Sequence, residues 1–242
     1  MDVNLSGKHI LITGGTSALG RIFVKRAVEE GAKVYFTFHE NQKEAEALKQ
    51  MGAVCFQVDL RNHAQIDQLK KDLQTHTSEL DGIVHNAASV KDHTIQNLSE
   101  EEWDEALSVD LTAIYYLTKK MLSFLFKKPG SKILNVISRA GLKGGFGQAN
   151  YAAAKGGLIA LTKTLAQELG KKQILVNALN PGFMKSRMTE SIPMEAFKRN
   201  VEESVLNKIS DPRAVSDFMV YLFSDRFQNV SGQIFHLDSR RT

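Results

Sequence analysis

KHILITGGTSALG, residues 8–20, is the segment that most directly indicates the fold of this chain. Its first half is an apolar run of strand length, and Ile10–Ile12 is apolar enough for a central strand buried on both faces. The run passes directly into a glycine-rich turn and then a helix, a geometry that presents backbone N–H groups to a pyrophosphate. Gly14 permits the tight turn and Gly20 permits close packing of the helix on the strand. Ordinary strand-to-helix turns can also contain two glycines, so the turn alone does not decide the function.

The same alternation of strand and helix continues along the whole chain. Between the apolar runs lie helix-length segments with apolar residues at three- and four-residue spacing. This alternation predicts an α/β fold, in which a parallel sheet is covered by helices on both faces. The sequence contains no repeat and no linker, which indicates a single domain. The predicted strands are Lys8–Thr13, Lys33–Phe38, Ala53–Val58, Gly82–His85, Lys132–Ile137, Ile174–Leu179 and Gln233–Leu237.

Composition excludes several classes of protein. A net charge of +4 in 242 residues is weak for a nucleic-acid-binding protein, and no nucleic-acid partner is expected. The single cysteine, Cys55, excludes a disulfide framework, and no two histidines have H-x-x-x-H spacing, so no metal is expected. The first residues carry no signal-peptide pattern, and no apolar run approaches the ~20 residues of a membrane span. We therefore expect a cytoplasmic protein without a membrane partner.

Two segments interrupt the regular alternation. Ser99, followed by three glutamates, is a typical N-cap and predicts a long helix running to Lys128. Residues 186–211 form an insertion-like stretch, which is named the lid segment here because such insertions next to a parallel sheet often cover a substrate.

Tyr151 and Lys155 have the spacing of residues on one face of a helix. A cation one turn from a tyrosine lowers the pKa of the phenol, which makes it a feasible acid or base. Ser138 ends the strand Lys132–Ile137 and can offer a hydroxyl over the same crevice. An aromatic residue at a helix start beside a solvated lysine is the simpler interpretation of the pair alone. The order of glycine-rich turn, serine, tyrosine and lysine favours a catalytic site.

These motifs together resemble the short-chain dehydrogenase/reductase family. The resemblance rests on the first turn, Asn86–Ala88, Ser138, Tyr151, Lys155 and Pro181-Gly182. Within that family, residues 147–156 and 180–183 are most similar to the 3-oxoacyl-(acyl-carrier-protein) reductases. The resemblance implies one doubly wound Rossmann-type domain over residues 1–242, with a seven-stranded sheet in the order 3-2-1-4-5-6-7. It also implies a homotetramer, with the helices Ser99–Lys128 and Asn150–Gly170 as subunit interfaces.

The resemblance further implies a role for each site residue. Tyr151 would protonate a carbonyl oxygen as hydride arrives, Lys155 would hold the ribose hydroxyls and lower the tyrosine pKa, and Ser138 would orient the carbonyl. The remaining residues would contact the nicotinamide cofactor: Gly14, Thr16, Ser17, Leu19 and Gly20 at the pyrophosphate, Phe38 and His39 after the second strand, Asp59 and Leu60 at the adenine, Asn86, Ala87 and Ala88 at the nearer ribose, and Pro181, Gly182, Phe183 and Ser186 at the nicotinamide.

The sequence departs from the family pattern at four places. Ala18 and Ala88 replace glycines beside the cofactor. Asp110 occupies the position of an asparagine that supports a water relay to the lysine, and we expect the relay to survive with Asp110 as an acceptor only. Residues 236–242 replace the glycine pair after the last strand. This tail either alters a contact with a neighbouring subunit or is a frayed end.

The end of the second strand favours NADP over NAD. No acidic residue occupies Thr37 or Phe38, where it would bind the ribose 2′-OH of NAD, and His39 and Lys43 could meet a 2′-phosphate. Glu40 and the absence of an arginine at Ser17 argue in the other direction.

Three functions remain open from the sequence. The preferred one is an NADPH-dependent ketoreductase that reduces a 3-oxoacyl thioester on an acyl-carrier protein, which would dock on Lys127, Lys128, Lys171 and Lys172. Those lysines can equally be solvated helix-end residues. The second is a family member that acts on a free small alcohol or ketone. The third is a nucleotide-binding homologue without catalysis.

Overall fold

The computed structural model describes residues 3–186, 189 and 192–240. These residues form seven parallel strands in one sheet, and the order β3-β2-β1-β4-β5-β6-β7 confirms the prediction. Four strands are one or two residues shorter than the apolar runs, two match them, and β6 is shifted one residue towards the carboxyl end. The strands are β1 His9–Ile12, β2 Lys33–Phe38, β3 Val54–Gln57, β4 Gly82–His85, β5 Lys132–Val136, β6 Leu175–Asn180 and β7 Ile234–His236.

Helices cover both faces of this sheet, as its apolar strands require. The helices are α1 Ala18–Glu29, α2 Gln42–Gln50, α3 His63–Gln74, α4 Glu100–Leu107, α5 Ala113–Leu125, α6 Ala140–Lys143, α7 Ala149–Gly170, α8 Met194–Glu202 and α9 Pro212–Phe223. One core cluster joins the sheet to α1 and α9 through residues such as Phe23 and Phe223. A second cluster on the opposite face packs α3 and α5 through Leu69 and Met121.

The prediction of one continuous helix from Ser99 to Lys128 was wrong in two respects. Ser99 does form the N-cap, with a complete capping box to Glu102. However, a π-helical turn over Ser108–Thr112 separates α4 from α5, and α5 ends at Leu125. Such wide turns occur often at functional sites, and this one contains the fully buried Asp110.

The lid segment and the tail are ordered where the structure describes them. In the lid segment, α8 is followed by turns that lead to α9, while residues 187, 188, 190 and 191 lie outside the described residues. In the tail, residues 241 and 242 likewise lie outside them. The frayed-end interpretation of the tail is wrong for residues 238–240, because the side chains of Asp238 and Arg240 are only 6% and 11% exposed. No helix in the described part of the chain has the length and apolar character to cross a membrane.

Candidate active site

The glycine-rich turn between β1 and α1 is held by the side chain of Asn86, which follows β4, and by the hydroxyl of Thr13. The Asn86 amide donates to the Thr13 and Gly14 carbonyls and to Ser17 Oγ, each at 3.0 Å. Thr13 Oγ1 in turn accepts from the backbone N–H groups of Asn86 and Ala87 at 3.0 Å. The side chain of Asn86, expected at the nearer ribose, is therefore engaged in holding the turn.

Close contacts explain why the turn requires its two glycines. Gly14 has φ +65°, and a Cβ there would lie 2.9 Å from Ala87 Cα. A Cβ on Gly20 would lie 2.3 Å from the Gly14 carbonyl oxygen, so Gly20 is needed for the approach to the turn rather than to the strand. Ala18, which replaces a family glycine, is the first residue of α1 and has no positive φ, so its methyl group causes no backbone strain.

The amino end of α1 suits a pyrophosphate. Its first turn contains no acidic residue, and Ser17 caps the helix by accepting from Gly20 N at 3.1 Å. The N–H groups of the first helical residues have no carbonyl one turn earlier, so they are available to an anion at the positive end of the helix dipole. The glycine-rich turn and the amino end of α1 thus fit the pyrophosphate of the nicotinamide cofactor that the sequence implies.

Tyr151, Lys155 and Ser138 come together at the carboxyl end of β5. Lys155 Nζ lies 5.6 Å from the centre of the Tyr151 ring, and the phenol is hydrogen-bonded with Ser138. Lys155 also donates to the Val136 carbonyl at 3.1 Å. A phenol and a hydroxyl beside each other can hold one carbonyl oxygen between them.

Asp110 binds Lys155 directly. Asp110 Oδ1 lies 2.9 Å from Lys155 Nζ, and Asp110 Oδ2 accepts from Ser89 N at 2.9 Å. No water fits between two groups at that distance, so Asp110 contacts Lys155 without one, and a water relay elsewhere on the ammonium stays a prediction. The ammonium has three hydrogens, and the contacts to Asp110 and Val136 leave one for a ribose hydroxyl.

Burial and charge determine the protonation of these groups. Burial opposes the charge of Lys155, but Asp110 and Tyr151 outweigh it and the pKa of Lys155 is raised. Burial also raises the pKa of Asp110, an effect that Lys155 opposes. For Tyr151, burial raises the pKa, Lys155 lowers it and Asp110 raises it again, with a net increase. Lys155 thus lowers the tyrosine pKa as expected, but burial and Asp110 outweigh it, and Tyr151 is protonated at neutral pH.

Comparisons with known proteins agree with this geometry. A family model described as Enoyl-(Acyl carrier protein) reductase matches residues 14–239. A 3-oxoacyl-(acyl-carrier-protein) reductase FabG from Thermotoga maritima is 32% identical over 241 residues, with 98% of both chains covered.

The chain belongs to the short-chain dehydrogenase/reductase family.

It is accordingly an NAD(P)-dependent oxidoreductase.

Two solved structures of the family share the fold. A dehydrogenase/reductase from Sinorhizobium meliloti superposes with a TM-score of 0.91 at 25% identity, over 99% of this chain and 96% of the other. A short-chain dehydrogenase from Burkholderia cenocepacia in complex with NADP also gives a TM-score of 0.91, at 23% identity and 98% coverage of both chains.

The part of the site expected to bind adenosine contains Arg61, which the sequence analysis does not name. Arg61 forms a bidentate pair with Asp59, through Nε at 2.9 Å and Nη2 at 2.8 Å. His39 Nε2 lies 3.9 Å from the same carboxylate, and the His39 side chain is 54% exposed. Asp59 thus gathers two basic groups beside the end of β2. The Asp-x-Arg spacing directly after a predicted strand could have indicated the pairing of Arg61 with Asp59.

The residues expected at the nicotinamide follow β6. Gly182 has φ +80°, and a Cβ there would lie 2.1 Å from Ser210 Oγ and 2.8 Å from the Leu237 carbonyl oxygen. Phe183 packs against Phe197 of α8, with ring centres 5.5 Å apart. Ser186 N donates to Thr189 Oγ1 at 2.8 Å, so its backbone closes a local turn.

Asn150 is a further residue that the reasoning passed over. Its fully buried amide donates to the Lys91 carbonyl at 3.1 Å and to the Glu102 carbonyl at 3.2 Å, and its Oδ1 accepts from Tyr151 N at 2.8 Å. It therefore ties the start of α7 to the loop after β4 and to α4. Its position immediately before Tyr151 could have indicated that it helps to place that residue.

The four candidate docking lysines lie at the opposite ends of the strands from Tyr151. Lys127 and Lys128 follow α5, and Lys171 and Lys172 follow α7, so all four lie near the amino ends of β5 and β6. Tyr151 and Lys171 are separated by about 30 Å along the helix, at 1.5 Å per residue. Lys128 is also paired with Glu79 at 2.9 Å. Within one chain, the lysines and the catalytic residues do not form one surface.

Proposed function

We propose that this protein reduces the ketone of a 3-oxoacyl thioester, carried by an acyl-carrier protein, to the 3-hydroxyacyl product with NADPH. The observation that carries the proposal is the full-length likeness to FabG at 32% identity, joined to a protonated Tyr151 beside Ser138 and Lys155. Tyr151 carries the proton that the reductive direction requires, and Lys155 opposes the rise of its pKa and so favours release of that proton.

The catalytic step is divided among the residues of the site. A nicotinamide cofactor, when bound, would supply the hydride for the carbonyl carbon. Ser138 donates a hydrogen bond to the carbonyl oxygen and orients it, and Tyr151 delivers its phenolic proton to the same oxygen. Lys155, held in its charged form by Asp110, offers its remaining hydrogen to the ribose hydroxyls and fixes the nucleotide relative to the substrate. The carbon–oxygen double bond is thereby reduced to an alcohol.

Exposed apolar side chains near Tyr151 support an acyl substrate. Phe146 lies in the loop before α7 and is 94% exposed, and Ile95 in the loop after β4 is 72% exposed. A bridge between His93 and Gln148 brings those two loops together. Exposed apolar groups of this size often mark binding surfaces. They suit an acyl chain better than a sugar.

The basic groups around Asp59 support NADPH as the cofactor. His39 and Arg61 lie on the side expected for the adenosine ribose, and a guanidinium is a good partner for a 2′-phosphate. The site residues named from the sequence, from Gly14 to Ser186, are proposed here as the contacts of that cofactor. The related Burkholderia structure was determined with NADP.

A homotetramer would bring the docking lysines to a catalytic site. We propose subunit contacts through α5 and α7, the helices expected as interfaces. Pairing across a twofold axis perpendicular to these helices makes them antiparallel, so the carboxyl ends in one subunit would lie beside the amino ends in its neighbour. Lys127, Lys128, Lys171 and Lys172 would then flank the neighbour's Tyr151 rather than their own. An acidic carrier protein can use such a patch.

The test is the oxidation of reduced nicotinamide with acetoacetyl thioester, with NADPH and NADH compared side by side. Fast, NADPH-preferring oxidation that Tyr151→Phe abolishes supports the proposal. Crotonyl thioester serves as the second substrate, because the matching family model is described by enoyl reduction. Activity on the crotonyl compound alone, or on free ketones alone, would contradict it. Nucleotide binding without turnover on any of them would indicate a non-catalytic homologue.

A further inference from the structure

The tail after β7 folds back onto its own chain through Arg240. The Arg240 guanidinium binds both oxygens of Asp238, with Nε at 2.9 Å and Nη2 at 2.6 Å. Its Nη1 lies 2.5 Å from Asn200 Oδ1 on α8, and its central carbon lies 5.5 Å from the centre of the Phe183 ring. One side chain therefore joins the tail, α8 and the end of β6.

Neighbouring contacts strengthen the same junction. Val205 N donates to the Ser239 carbonyl at 2.9 Å, and the hydroxyls of Ser204 and Ser239 lie 2.6 Å apart. Ser204 and Arg240 form an antiparallel bridge. Phe183, beneath the guanidinium, packs in turn against Phe197 of α8. The tail is thus attached to both the helix and the turn that follows it.

The charges at the junction are matched to an arginine. Burial raises the pKa of Asp238, but the hydrogen bonds and charge of Arg240 outweigh it and keep the carboxylate ionised. A guanidinium can bind a carboxylate with two parallel N–H groups and still donate a third bond elsewhere, whereas an ammonium has no such fork. The three contacts of Arg240 therefore require arginine rather than a positive charge alone.

A second ion pair connects α8 with the catalytic serine. Glu203, the residue after α8, is paired with Arg139, which follows Ser138 in the sequence. The Arg139 hydrogen bond lowers the pKa of Glu203 and burial opposes it, while the charges of Arg139, Arg240 and Arg199 lower it further. The carboxyl end of α8 is consequently held from two sides, by the tail and by the segment that contains Ser138.

We propose that Arg240 is a positioning residue for the carbonyl substrate, which it serves by fixing the carboxyl end of α8 against Phe183 at the end of β6. The tail acts within its own chain, on the segment that the Glu203–Arg139 pair connects to Ser138. In this proposal Arg240 acts through α8 and Phe183 rather than by contact with the substrate. The inference rests on the proposed reductase function for its kinetic consequence, although the fixation of α8 is independent of the substrate.

The test compares Arg240→Ala, Arg240→Lys and Asn200→Ala with the control Arg213→Ala, an exposed arginine at the start of α9. We expect Arg240→Ala to raise the KM for acetoacetyl thioester about tenfold, because α8 loses its fixed position beside the site, while the NADPH Kd changes by less than about twofold. Lysine should restore only part of the affinity. Asn200→Ala, which keeps the Asp238–Arg240 pair intact, should show a smaller rise in KM with an unaltered melting temperature.

Hydrogen exchange provides a readout that needs no substrate. With NADPH bound, amides of residues 194–206 should exchange faster in Arg240→Ala than in the wild type, while amides of β1 and β4 remain unchanged. Unchanged exchange and unchanged KM would overturn the proposal, as would a parallel rise of KM and NADPH Kd. If the wild type does not reduce the thioester, the proposed function fails, and the exchange experiment still decides whether Arg240 holds α8.

Discussion

Lys155 Nζ lies 2.9 Å from Asp110 Oδ1, and the two side chains are only 2% and 0% exposed. The charge of Lys155 is therefore balanced within the protein rather than by solvent. This pairing reduces the ability of Lys155 to stabilise a phenolate, because the nearby carboxylate acts on Tyr151 with the opposite sign. Asp110 therefore favours the protonated form of Tyr151 and makes the phenol a weaker acid.

Replacing Asp110 by asparagine should move the pH dependence of the reaction. Reduction requires a protonated Tyr151, so its rate is lost as the pH rises through the pKa of the phenol. Without the carboxylate that pKa falls, so the alkaline limb should shift to lower pH. A pH profile of kcat measures this shift, and turnover at neutral pH should be kept or raised. An unmoved limb, or a loss of ~100-fold in turnover, would contradict the role given to Asp110.

The same substitution should cost stability. Removal of one member of a buried ion pair leaves an uncompensated charge and destabilises a protein by about 3–5 kcal/mol. Urea denaturation of Asp110→Asn should show a corresponding decrease in the free energy of unfolding. An exposed pair offers the control, because Lys49→Ala removes a surface contact with Glu46 and should have little effect. Equal stability of both variants would indicate that the Asp110–Lys155 pair is not buried.

Removal of the phenolic hydroxyl should abolish turnover without affecting nucleotide binding. Tyr151→Phe keeps the ring beside Lys155 but cannot donate a proton, so the reduction rate should fall by about a hundredfold or more. Stopped-flow oxidation of NADPH measures the rate and fluorescence titration measures the Kd, which should stay within about twofold of the wild type. A variant with near-normal turnover would exclude Tyr151 as the acid.

The basic groups beside Asp59 should set the nucleotide preference. We expect Arg61→Ala to weaken NADPH binding about tenfold or more, since a charged hydrogen bond to the 2′-phosphate is lost, and to leave NADH binding nearly unchanged. Lys49→Ala, an exposed change near the end of α2, is the matched control. The ratio of kcat/KM for NADPH to that for NADH measures this preference in each variant. A loss that is equal for NADPH and NADH would show that Arg61 only supports Asp59.

His85 should make the folded state sensitive to acid. Its side chain is fully buried with Nε2 2.9 Å from Thr118 Oγ1, and burial, assisted by the charge of Lys155, lowers its pKa to about 3. Between about pH 6.5 and pH 3 the unfolded chain binds a proton there that the folded chain does not. Stability should therefore fall as the pH drops through this range, by up to about 1.4 kcal/mol per unit from this group.

The variant His85→Asn isolates that contribution. It cannot titrate in the same range, so its free energy of unfolding should depend less steeply on pH between 4 and 6 than that of the wild type. His63→Asn, at the exposed start of α3, serves as the control and should retain the steep dependence. Parallel curves for the wild type and His85→Asn would refute the assignment.

The sheet was predictable because its strands follow directly from the apolar runs. A strand buried on both faces is continuous in hydrophobicity, as in Ile10–Ile12, and the alternation with helices leaves few arrangements of a parallel sheet. The order of strands came from the family resemblance and is confirmed. The positions of Tyr151 and Lys155 on one helix face follow from their spacing alone.

The features that were missed depend on contacts between distant parts of the chain. The π-turn at Ser108–Thr112 leaves no periodic signal, because one extra residue in a helix resembles ordinary variation in the apolar stripe. The direct bond from Asp110 to Lys155 depends on how that turn packs against α7. Arg61 and Arg240 each form a fork with an aspartate two residues earlier, and that local pattern was visible. The sequence does not indicate which other elements those arginines contact.

The crowding at Gly182 limits how this protein can evolve new substrate preferences. Its Cα is approached by Ser210, by the Leu237 carbonyl and by Asp238, so any side chain there would collide with both the segment after α8 and the tail. Mutations that reshape the site from this side would first have to separate three parts of the chain. Selection has more freedom at the opposite end of α8, where Met194 is 67% exposed and a new side chain displaces only solvent.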